Sequence, residues 1–133
     1  MKHPTSLEVN QKCDFGGYEI TVKKMEVTPL LWSLYLDYDE AMKVYEDERN
    51  NFEYAGADYG GDLYDRVNID QVRYEDGTVV DLDTMIGGIG GGEEKQDKEN
   101  GFLIIRNSFT KLVEADKIQA VHFQKIDQWL EVR

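Results

Sequence analysis

The chain has 133 residues, 41% of them hydrophobic, which suits one domain built around one core. Its 27 acidic and 15 basic side chains leave a net charge of −12, a surface that repels phosphate backbones and anionic lipid heads, so nucleic acid is excluded as a partner. The single cysteine, Cys13, excludes an intrachain disulfide and a cysteine-rich metal site, without fixing the compartment.

No continuous apolar run approaches a membrane span, and the opening MKHPTSLEVN lacks the apolar stretch of a secretory signal. The chain is therefore expected to be soluble by itself, any export signal or membrane anchor lying outside it. Residues 1–6 read as a disordered tail and residues 7–133 as a single domain.

Val9 to Phe15 and Tyr18 to Thr28 alternate around Gly16-Gly17, which reads as a hairpin with a two-residue turn because glycine takes positive φ freely. That register sets Phe15 opposite Tyr18, Cys13 opposite Ile20 and Gln11 opposite Val22. Cys13 then falls on the apolar face, where a buried structural thiol is favoured over a reactive one. The phase shifts after Val22, so Lys23-Lys24 reads as a bulge. Pro29 ends the run, because it cannot donate to a ladder. In Leu31 to Asp37, Trp32, Leu34 and Leu36 share one face while Leu31 and Tyr35 make the other partly apolar. This suggests a central strand covered on both sides.

Asp39 to Phe52 fits either a short helix near 40–51, capped by Asp39, or an irregular excursion. Val67 to Tyr74 and Thr78 to Leu82 flank Glu75-Asp76-Gly77. A three-residue loop with Gly77 left-handed pairs Val72 with Val80 and Tyr74 with Thr78. Gly87 to Gly101 reads as a polar, glycine-rich mobile loop. Gly101 to Thr110 returns to strand, Lys111 to Lys117 is a short connection, and Ile118 to Phe123 and Ile126 to Val132 are closing strands. About seven or eight short strands separated by turn signals indicate an all-β sandwich.

Candidate chemistry is sparse. The run Gly87-Gly88-Ile89-Gly90-Gly91-Gly92 is followed by Glu93 and Glu94, whose charge repels phosphate, so a flexible loop is favoured over a nucleotide site. Asp37 to Asp65 holds ten acids against Lys43 and Arg49, which is −8 of the net charge in 29 residues. The alternating pairs Asp37/Asp39 and Asp81/Asp83 do not continue into a calcium loop, so a solvated acidic face is favoured over a calcium site. His3 falls in the tail and His122 in a strand, where a satisfied hydrogen bond is favoured over general-base work. Ser6, Ser33 and Ser108 are the only serines, and none sits in a G-x-S-x-G elbow. Five of the eight tyrosines (Tyr38, Tyr45, Tyr54, Tyr59, Tyr64) lie in the acidic segment. Those rings either cover the edge of the core or form a contact surface, for which Tyr45, Phe52, Tyr54, Tyr59 and Tyr64 are the candidates. Acid beside tyrosine suits a basic protein or a cationic cell-wall ligand.

The stretch FGGYEITVKKMEVTPLLWSLYLDYD, Phe15 to Asp39, resembles the first strands of the extracytoplasmic domains of membrane-anchored anti-sigma factors from Firmicutes. Tyr18, Ile20, Val22 and Lys24 match a "Y-x-[IL]-x-V-x-K" pattern, and Thr28-Pro29 with Leu34-Tyr35 match a "T-P…LY" strand. Asp116 to Val121 matches a closing "D-K-[IV]-x-[AS]-V" step, and Glu75-Asp76-Gly77-Thr78 a common hairpin turn. About two thirds of the chain is covered; Glu40 to Tyr64 and the glycine loop are not. The resemblance implies an immunoglobulin-like sandwich outside the membrane that senses or scaffolds, with no catalytic residue, cofactor or metal. Contact with the membrane would run only through a segment absent from this chain. The alternatives are a cell-surface carbohydrate-binding or adhesion module using Trp32 or Trp129, and a small hydrolase working through carboxylates.

Overall fold

A computed structural model describes residues 4–51, 67–82, 93–109 and 111–133, with backbone alone for 47–51. The glycine pair makes the expected hairpin between β1 (Thr5–Asp14) and β2 (Glu19–Val27). Gly16 and Gly17 have φ of 78° and 100°, the Phe15 N–H donates to the Tyr18 carbonyl at 2.8 Å, and Cys13 pairs with Ile20 and Gln11 with Val22. The Gly17 N–H is capped by the Asp14 carboxylate at 2.6 Å. Thr5 pairs with Val27, so β1 starts inside the expected tail.

β3 (Leu31–Asp37) pairs with β2 across a register shift between Val22 and Lys24, at the expected bulge. Its other neighbour is β7 (Phe102–Ser108), and β6 (Glu93–Asp97) closes that edge, giving the five-stranded order β1-β2-β3-β7-β6. The second sheet has four strands in the order β5-β4-β8-β9, with β4 (Ile69–Tyr74), β5 (Val79–Asp81), β8 (Ile118–Phe123) and β9 (Gln128–Glu131). The β4–β5 loop is the one expected: Val72 pairs with Val80, the Tyr74 N–H donates to the Thr78 carbonyl at 2.8 Å, and Gly77 has φ of 92°. All strand pairs among the described residues are antiparallel.

The inner faces meet in one core. Ile20, Val22, Met25, Leu34, Leu36, Leu103 and Ile105 come from the larger sheet, and Val72, Ile118, Val121, Phe123 and Leu130 from the smaller. Phe15 and Phe123 touch across the layers, ring centroids 5.4 Å apart. This is the layered sandwich that the alternating segments imply, with nine strands among the described residues.

The ambiguous acidic segment resolves as a helix, α1 (Tyr38–Asn51). Its cap is Asp37, not Asp39: the Asp37 carboxylate accepts the Glu40 N–H at 3.0 Å, three residues on, as an N-cap does. Asp39 and Glu40 then sit in the first turn, where negative charge favours the helix dipole. Ala41 and Val44 enter the core cluster, which anchors the helix to the sandwich. No described helix is long and apolar enough to cross a membrane.

The expected loop of residues 87–101 is corrected in part. Glu93–Asp97 is a strand pairing with β7, an exposed edge whose run of charges discourages pairing with another chain.

Candidate functional site

The outward side of the five-stranded sheet is shaped by side-chain length. Glu26, Ser33, Arg106 and Glu93 stand in one row across β2, β3, β7 and β6. The next outward pair is Leu31 with Ser108. Short serines on the two central strands, flanked by longer side chains, leave a concavity of about 430 Å³, lined also by Pro4, Thr28 and Trp32. Its size falls in the range of small-ligand pockets.

The polar groups of this wall are held in place. Arg106 meets Glu93 at 3.2 Å. The Tyr35 hydroxyl donates to the Glu26 carboxylate, and burial together with that bond pushes the phenol pKa up. Lys24 lies 4.3 Å over the Tyr35 ring, and Phe102 meets that ring edge-on at 5.2 Å. β3 is the central strand expected, but its outer face is not covered as foreseen: Tyr35 is buried by Lys24 and Phe102 while Leu31 stands 55% exposed.

Beside the concavity the surface turns apolar. Thr28 accepts the N–H groups of Leu30 and Leu31 through its hydroxyl, at 3.3 and 2.9 Å, which fixes the turn after Pro29. Phe109 and Val113 lie alongside: the Phe109 N–H donates to the Leu30 carbonyl at 2.7 Å and that of Val113 to the Pro29 carbonyl at 3.0 Å. These paired segments present Leu30, Leu31 and Leu112 at 53%, 55% and 71% exposure.

Outward on the four-stranded sheet, His122 is held between two carboxylates, Nδ1 at 2.6 Å from Asp70 and Nε2 at 2.8 Å from Asp127. Burial pulls its pKa down, but the bonds and charges of Asp70 and Asp127 outweigh it, so the net direction is up. This is the satisfied strand histidine expected. Trp129, 39% exposed, packs against it with ring centroids 5.0 Å apart, and Arg73 lies 5.5 Å over the indole while pairing with Glu131.

Of the candidate contact rings only Tyr45 lies among described side chains. It is half-buried against the core, and its hydroxyl donates to Glu94 on β6. Phe52, Tyr54, Tyr59 and Tyr64 lie outside the described residues, as does the glycine run 87–92. Trp32, 2% exposed, serves the core and offers no stacking face. Asp37 is spent on the helix cap and on Lys23 at 3.4 Å, and Asp81 accepts from Gln71 at 2.6 Å. Among the described residues no three acidic, histidine or cysteine side chains are grouped to hold a metal. Cys13 is buried, and burial with the adjacent Asp14 charge pushes its thiol up to about 11.

Sequence reading missed the concavity, because Glu26, Ser33, Arg106 and Glu93 become neighbours only through the pairing of β3 with β7 and β7 with β6. The outward phase of Ser33 was readable from Trp32 and Leu34; its partners were not. No protein-family model, curated protein or solved structure matches this chain.

Proposed function

We propose that this chain is a non-catalytic extracytoplasmic sensing or protein-interaction domain of a membrane-anchored anti-sigma regulator. The observation that carries the binding role is the concavity of about 430 Å³ beside three exposed leucines, on a sheet whose polar groups are already fixed by Tyr35, Glu26, Arg106 and Glu93. A rigid scaffold with preset donors and acceptors binds without first having to order itself. The anti-sigma role rests on the sequence resemblance, whose matched segments Phe15 to Asp39 and Asp116 to Val121 fall on β2, β3 and the start of α1, and on β8 with its lead-in. The signal would pass from this domain to a separate cytoplasmic segment of the parent protein. The test is genetic: substitute Leu31→Asp in the parent gene and follow transcription from promoters of the cognate sigma factor. An altered response to envelope stress supports sensing; wild-type transcript levels with normal protein abundance remove it.

A second reading, a carbohydrate-binding or adhesion module, is favoured by Trp129. Its half-exposed indole is steadied by His122 and Arg73 on an outward sheet face. Cell-wall sugars would then quench tryptophan fluorescence in the wild type and not in Trp129→Phe.

A further inference from the structure

The charge and shape of the concavity also speak to what fits it. We infer that it takes an extended peptide segment of a partner protein, with a cationic side chain lodged in the concavity and apolar neighbours resting on Leu30, Leu31 and Leu112. The inference rests on the binding-domain reading and goes beyond it by naming the class of ligand.

Carboxylates outnumber cations in the lining: Glu26 and Glu93 against Arg106. Arg106 is held by Glu93 and by the Tyr35 hydroxyl, and that hydroxyl is also the one that donates to Glu26, so Arg106 reaches Glu26 only through Tyr35. A carboxylate has about four acceptor sites, so one phenol leaves Glu26 capacity for an incoming ammonium or guanidinium. The bond formed would be charge-assisted, and stronger than one between neutral groups. Ser33 and Ser108 keep the floor low enough for a side chain to reach it.

The rim sets the neighbours of that cation. Leu31 belongs to both the concavity and the exposed trio, so the apolar surface continues from the lining outward. A segment with a cationic residue and apolar residues two places to either side would match both parts, since side chains at i and i+2 of an extended chain point the same way.

The net charge of −12 chooses between occupants. Two copies of this chain would set like charges face to face, and an anionic segment would be repelled before contact, whereas a cationic one is steered inward. Neutral sugars gain nothing from this field.

The experiment is a titration of the isotopically labelled chain with acetyl-Leu-Ser-Arg-Ser-Leu-amide, followed by amide chemical shifts, beside the version with glutamate in place of arginine. The expected result is saturable shifts at Ser33, Arg106 and Glu93 with the arginine peptide and none with the glutamate peptide. Glu26→Gln should weaken binding about 2- to 5-fold, as loss of a partly exposed ion pair does. Ser33→Phe should abolish it while leaving the urea midpoint near wild type, which separates a filled concavity from an unfolded chain. Equal shifts with both peptides, shifts confined to the four-stranded sheet, or self-association mapped to the leucines would each overturn the inference. No arginine-peptide binding together with an altered reporter response in Leu31→Asp cells overturns the ligand class and leaves the sensing role standing; silence in both removes both.

Discussion

His122 on β8 and Asp70 on β4 are bound across the strand pair at 2.6 Å, and the far side of the same imidazole is held by Asp127 at 2.8 Å. Because the folded pKa of His122 is raised above its ordinary 6.5, the charged imidazole stabilises the fold fully below that value, and the contribution is lost as pH rises through the folded pKa. Asp70→Asn should therefore cost about 1.5–3 kcal/mol at pH 6, the range for a hydrogen bond to a charged group, and clearly less at pH 9. Urea unfolding at both pH values measures it; a difference that does not change with pH would show that the charge of His122 contributes nothing.

The helix cap falls on Asp37 and not on the expected Asp39. Asp37 accepts the Glu40 N–H and pairs with Lys23, while Asp39 stands exposed in the first turn. Asp37→Ala should lower stability by about 1 kcal/mol and Asp39→Ala by a few tenths. Thermal unfolding of the two variants, compared at one pH, checks the order.

Phe123 is fully buried and meets Phe15 between the sheets. Phe123→Ala removes this ring contact between the layers and should cost about 3–5 kcal/mol, a large share of the stability of a domain this size. Trp129→Ala, on the wet face of the adjacent strand, should cost far less. Equal losses in denaturant titrations would contradict the assignment of inner and outer faces.

With its thiol pushed up to about 11, Cys13 at pH 8 holds about one part in a thousand as thiolate, and burial blocks access as well. A thiol-specific disulfide reagent should modify the native chain at least about 100-fold more slowly than the chain in urea. Rapid labelling under native conditions would place Cys13 outside the core.

Much of the fold was legible because local chemistry and global packing agree. Gly16-Gly17 and Gly77 mark turns that require positive φ, and Tyr18, Ile20 and Val22 or Trp32, Leu34 and Leu36 count out strand faces two residues at a time. The helix was ambiguous because its apolar face is thin among many acids and because strand patterns surround it. β6 was hidden for a different reason. The sequence EEKQD has no apolar residue to alternate, and its strand character comes from pairing with Phe102 to Arg106. The concavity is less legible still. It depends on serines opposite charged side chains of distant segments, and periodicity reports which face a residue takes, never who stands beside it.

The central claim is that the outward face around Leu31 is a recognition surface. Its most direct test replaces Leu31, and separately Trp129, with a photo-crosslinking amino acid in the parent protein and irradiates intact cells. The account predicts a discrete covalent adduct from position 31, lost on adding Ser33→Phe, and none from position 129. Adducts from position 129 alone would contradict it and move recognition to the four-stranded sheet.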